Sequence, residues 1–125
     1  MAKIIECVPN ISEGRNHEVI EACVDTVRNT AGVTLLDYSS DASHNRSVIT
    51  FMGSPEGVMN AATALAKKAA ELIDLNHHQG EHPRMGAVDV IPLIPMKDVT
   101  KEETVEYSKQ LAERIWNEAG IPIFL

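Results

Sequence analysis

Three consecutive stretches, VTLLDY (Val33–Tyr38), SSDASHNR (Ser39–Arg46) and SVITFMG (Ser47–Gly53), decide the fold class of this chain. The first is a continuous apolar run of strand length. The second is polar and irregular and reads as a loop. In the third, Val48, Thr50 and Met52 alternate against Ile49 and Phe51, the period of a half-buried strand. Two strands therefore follow one another with no helix between them. What flanks this pair then fixes the architecture.

Upstream, Lys3–Val8 is a short apolar run stopped by Pro9-Asn10, consistent with a strand. From about Asn16 the spacing turns helical, with Ile20, Cys23, Val24 and Val27 on one face, and Gly32 closes that helix. Downstream, Ser54-Pro55-Glu56 opens a second helix with a capping hydroxyl, a proline at the first helical position and an early carboxylate. Val58, Ala62, Leu65, Ala69 and Leu72 form its apolar stripe. A polar loop, Asn76–Ala87 (NHHQGEHPRMGA), leads into a strand-like run to Met96, whose Pro92 and Pro95 favour an edge position. Thr100 and Glu103 form a capping box for a third helix carrying Val105, Ser108, Ala112, Ile115 and Ala119. Gly120 and Pro122 stop it, and Ile121–Leu125 reads as a final strand.

The order β-α-β-β-α-β-α-β places one helix between each of two strand pairs. That is the pattern of an α+β, ferredoxin-like split β-α-β sandwich, with one mostly antiparallel sheet and helices on one face. The other face is expected to be open. At 125 residues the chain forms one domain, residues 1–125, and the apolar ending IPIFL suggests a piece of something longer or an edge covered by a partner.

With 44% hydrophobic and 23% charged residues the composition is that of a soluble globular domain, and 4% aromatics leave its core to aliphatic side chains. A formal charge of −7 argues against a nucleic-acid binder, although Arg15, Arg46 and Arg84 sit in predicted loops where they could gather an anionic ligand. No membrane span and no secretory leader are legible, so a cytoplasmic protein is expected. Cys7 and Cys23 fall on apolar positions and read as buried free thiols.

Three loops could carry chemistry: Pro9–Asn16, Ser39–Arg46 and Asn76–Ala87. His78-Gln79-Gly80-Glu81-His82 fits the H-x-x-E-H arrangement of some zinc peptidases, but that geometry needs a helix. Gly80 weakens a helix and Pro83 drives His82 out of the α region, so no metal is expected. The competing reading makes His82 a proton-transfer group, with Glu81 or Asp41 orienting its ring and Arg84 gripping a carboxylate. From spacing alone, a loop histidine that merely donates to backbone carbonyls is an equal alternative. For Asn10, Ser12 and Glu13 the leading reading is as turn and cap residues of the first helix.

Taken together, ECVPNISEGRN (Glu6–Asn16), LLDYSSDASHNRSVITFMG (Leu35–Gly53) and GEHPRMGAVDVIPLIP (Gly80–Pro95) resemble the N-terminal subdomain of the glutamate formimidoyltransferase family, whose animal members are formimidoyltransferase-cyclodeaminases. The resemblance runs nearly end to end. It implies transfer of the formimidoyl group from N-formimidoyl-L-glutamate to N5 of tetrahydrofolate, the co-substrate, in histidine breakdown. It places the catalytic histidine on His82, with Asn10, Asp41, Asn45, Arg46, Glu81 and Arg84 lining the substrate and folate site. It also implies a second subdomain, in cis or in trans, whose sheet faces this one across a folate tunnel. A homodimer is compatible with it. Some relatives carry an aspartate shortly after the second strand where this chain reads Ser39-Ser40-Asp41, so Asp37 or Asp41 would stand in. Formyl transfer between 5-formyltetrahydrofolate and glutamate, and a non-catalytic folate-binding or assembly module, are the alternatives.

Overall fold

A computed structural model describes residues 3–77, 88 and 90–123. The elements are β1 (Ile4–Cys7), β2 (Asn10–Ile11), α1 (His17–Arg28), β3 (Val33–Asp41), β4 (Arg46–Gly53), α2 (Pro55–His77), β5 (Leu93–Lys97) and α3 (Lys101–Ala119). The described strands form one antiparallel sheet in which β4 is flanked by β3 on one side and by β1 and β2 on the other, with β5 beyond β1. This is the expected split β-α-β arrangement, with α1 and α2 each connecting strands separated by a third.

Alternation along the strands separates the two faces. Ile5, Cys7, Ile11, Ile49 and Phe51 are fully buried, in one cluster with Val19, Ile20, Cys23, Val24 and Val27 of α1 and the alanine-rich face of α2. Their neighbours Glu6, Asn10, Val48, Thr50 and Met52 are only half-buried, so the opposite face stays open. Pro95 is accommodated because β5 pairs only with β1 among the described residues. The helix starts agree with the expected caps. The Gly57 amide donates to Ser54 Oγ, and Thr100 and Glu103 close a reciprocal capping box. Gly120, at φ 70°, ends α3 in the left-handed region that glycine adopts freely.

Six local expectations are corrected. Asn10–Ile11, assigned to a loop, forms β2: the chain kinks at Pro9 and resumes pairing with β4 at Val48 and Ser47. Ser39–Asp41 extends β3, and its partner begins at Arg46, because ladder bonds continue past the apolar run where both faces of the strand are solvated. α1 ends at Arg28, capped by Asn29, before Gly32, which takes φ 81° in the turn into β3. α2 runs through Asn76 to His77, two residues into the stretch expected to be a loop. On α3 the buried stripe is Thr104, Leu111, Ile115 and Ala119, one position off the expected start, and Val105 is 50% exposed. The final strand is not formed over Ile121–Ile123: Ile121 is drawn into the core instead, and no described strand offers it a ladder.

No helix among the described residues is long and apolar enough to cross a membrane. Both cysteines are free and buried; burial pushes the Cys23 thiol up to about 12 and raises Cys7 as well. Since the thiolate is the reactive form, neither should react with a thiol-specific reagent in the folded chain at pH 8, and both should once denaturant is added. Labelling of native protein would refute this packing.

Candidate functional site

At one corner of the open sheet face lies a cleft of about 350 Å³ lined by Asn10, Ser39, Ser40, Asp41, His44, Arg46 and Val48. Its position follows from the topology. β2 brings Asn10 beside Val48, while the β3–β4 hairpin carries Asp41 opposite Arg46 at its tip. Three of the site residues expected from sequence, Asn10, Asp41 and Arg46, therefore meet in one place although they lie far apart in the chain. Ser39, Ser40 and His44 join them. A D-x-x-H spacing across a tight turn was the available signal for His44.

The cleft is held by polar contacts. Asp41 Oδ1 accepts the Ser43 amide at 2.9 Å, which shapes the turn, while its Oδ2 meets His44 Nδ1 at 2.6 Å. The His44 bond holds the Asp41 carboxyl below its ordinary value of 3.8, with the His44 and Ser43 amides assisting. An ionised carboxylate only accepts, so the imidazole carries its hydrogen on Nδ1. Among the described residues, the histidine that Asp41 orients is His44. A carboxyl depressed in this way adds stability that is complete above pH 3.8 and fades as pH falls through its lower, folded value. Carbon-13 titration of Asp41 is expected to give a midpoint below 3.8, moving back up in His44→Ala. A wild-type midpoint at or above 3.8 would refute the pairing.

Asn45 does not line this cleft. It sits at φ 51°, in the left-handed region that asparagine tolerates, and its Oδ1 accepts the Gly14 amide at 2.9 Å. Asn10 Nδ2 donates to the Val8 carbonyl at 3.3 Å, which orients its side chain at the cleft wall. Arg15, an anion-binding candidate, donates from Nε to the Ala42 carbonyl at 2.9 Å. The first loop is built around Glu13, whose buried carboxylate accepts the amides of Arg15 and Asn16 at 3.1 and 3.0 Å. The turn role expected of Glu13 is present, whereas the cap of α1 is Asn16, which accepts from Glu18 and Val19. His82, Glu81 and Arg84 lie outside the described residues. Among those described, no group of three or more His, Cys, Asp or Glu is placed to hold a metal ion.

Residues 4–125 match the family described as "Formiminotransferase domain, N-terminal subdomain". The chain is 61% identical over 125 residues to glutamate formimidoyltransferase of Streptococcus pyogenes serotype M1, covering 100% of this chain and 42% of that protein. It is 51% identical over 125 residues to formimidoyltransferase-cyclodeaminase of Dictyostelium discoideum, covering 100% of this chain and 23% of that one. A glutamate formimidoyltransferase of Thermoplasma acidophilum is 44% identical over 122 residues, 98% of this chain and 40% of the relative. The chain thus spans less than half the length of these relatives.

Proposed function

The chain belongs to the formiminotransferase family, as its N-terminal subdomain, and from that premise we propose that it supplies one half of a site transferring a formimidoyl group from N-formimidoyl-L-glutamate to N5 of tetrahydrofolate. The observation that carries this reading is the convergence of Asn10, Asp41 and Arg46 on one cleft at the open sheet face. A guanidinium beside hydroxyl and amide groups suits a ligand rich in carboxylate and amide functions.

In the proposed reaction N5 attacks the formimidoyl carbon while His82 takes the N5 proton. The resulting tetrahedral carbon then expels the glutamate nitrogen as His82 returns the proton to it. Glutamate and 5-formimidoyltetrahydrofolate leave, and the histidine ends in its starting state. One imidazole serves as base and then as acid because its ordinary pKa lies near neutrality. Asp41 and Arg46 position substrate, and Glu81 and Arg84 act beside His82.

A second subdomain, in cis or in trans, completes the site in this reading. Apolar side chains stranded on the sheet support that: Leu36 is 46%, Ile94 39% and Met96 53% exposed. The test combines this chain with the C-terminal portion of a formimidoyltransferase and follows glutamate release from formimidoylglutamate. Release that requires both portions and tetrahydrofolate is the expected result. Turnover confined to 5-formyltetrahydrofolate and glutamate would favour formyl transfer, and folate binding without turnover a non-catalytic module.

A further inference from the structure

We propose that Asn45 is a positioning residue rather than a ligand: it latches the β3–β4 hairpin tip to the loop before α1 and so fixes Asp41 and Arg46 at the cleft. Its consequence for turnover rests on the function proposed above.

The observations are geometric. Two backbones come together at the latch. A Cβ built on Gly14 would stand 2.4 Å from the Asp41 carbonyl oxygen, 2.5 Å from the Arg46 nitrogen and 2.8 Å from the Arg46 oxygen, so only glycine allows this approach. Asn45 Oδ1 takes the Gly14 amide across the contact at 2.9 Å. Arg15 Nε grips the Ala42 carbonyl at 2.9 Å, and Ser47 Oγ donates to the Glu13 carbonyl on the other flank. Ser47 Oγ also lies 3.0 Å from Ser40 Oγ, extending the tie to a cleft-lining residue. The buried Glu13 carboxylate anchors the loop itself through the Arg15 and Asn16 amides.

Within the hairpin tip, Asn45 acts through both its backbone and its side chain. Its left-handed φ turns the chain from Asp41 toward Arg46, and its amide oxygen holds the turned segment down. Without that oxygen the Gly14 amide loses its partner, a loss of a kind that buried donors rarely tolerate. The hairpin tip would then swing on the ladder pair Asp41–Arg46, displacing both cleft residues together.

Two substitutions separate this from simple destabilisation. Asn45→Gly keeps the left-handed turn and removes the oxygen, whereas Asn45→Asp keeps an acceptor and tolerates the same φ. In Asn45→Gly, amide exchange is expected to rise at least tenfold at Gly14 and at Ser43–Arg46, while core amides of α1 and α2 stay protected. In the assembled enzyme KM for formimidoylglutamate should rise about tenfold with kcat within threefold, and Asn45→Asp should restore both readouts. Unchanged Gly14 exchange in Asn45→Gly overturns the latch. Faster exchange with unchanged KM overturns its positioning role. If the unsubstituted enzyme transfers no formimidoyl group, the proposed function fails instead, and exchange at the Arg46 amide decides whether the latch fixes the cleft.

Discussion

Replacing His82 by alanine in the assembled enzyme is expected to lower kcat by 100-fold or more, within the roughly 10²–10⁴ range typical of a lost general acid–base. Each factor of ten corresponds to about 1.4 kcal/mol of transition-state stabilisation, so the loss is about 3–5 kcal/mol. KM should change far less, because the proton moves in the chemical step and not during binding. His82→Gln sharpens the test: glutamine retains a hydrogen-bond donor and acceptor but does not titrate. Both variants should be slow, and both should lose the near-neutral limb that a single imidazole imposes on the pH profile. Turnover within tenfold of the parent in His82→Ala sinks the assignment. A glutamine variant that works normally would reduce His82 to a hydrogen-bonding residue.

The parts of the fold that sequence made legible are those written in local chemistry. Ser54 and Thr100 announce their helices through caps that involve only neighbours in the chain. The strand that carries Phe51 is announced by alternation, since one face is buried and the other is not. β3 runs three residues past its apolar stretch because Ser39–Asp41 is exposed to solvent, where polar residues pair as well as apolar ones. The start of the α3 stripe has no apolar signature, because Val105 is apolar yet faces water, while Thr104 is buried and satisfies its hydroxyl at the Thr100 carbonyl.

The candidate site divides along the same line. Asn10, Asp41 and Arg46 were legible as loop residues of the right chemistry, and β2 and the hairpin do bring them together. The contact that redirects Asn45, its bond to the Gly14 amide, joins positions 31 residues apart. A glycine that must be glycine because a distant backbone crosses it leaves no local signature. His44 is the intermediate case, its pairing with Asp41 encoded by spacing but readable only once the turn is known.

A converse experiment bears on whether the scaffold and the chemistry are separable. Phe51→Ala is expected to destabilise the chain by about 3–5 kcal/mol, the usual range for truncating a buried phenylalanine. Phe51 is fully buried on β4, paired with Cys7 on one side and Leu35 on the other. Its neighbours are aliphatic side chains and small alanines fixed on α2, which cannot expand to refill the space. In a domain with about 5–15 kcal/mol in hand, that loss removes much of the margin and lowers the melting midpoint by about 10–20 °C. Phe51→Leu, which keeps most of the volume, should cost far less. Below the lowered midpoint, the surviving folded fraction of Phe51→Ala should retain most of its kcat, because Phe51 faces the helices and the cleft opens on the other side of β4. His82→Ala should show the reverse, an unchanged melting midpoint with lost turnover. A Phe51→Ala protein within 1 kcal/mol of the parent would mean the core closes around the gap. A folded fraction that loses kcat in proportion to its stability would mean that the sheet transmits packing to the site.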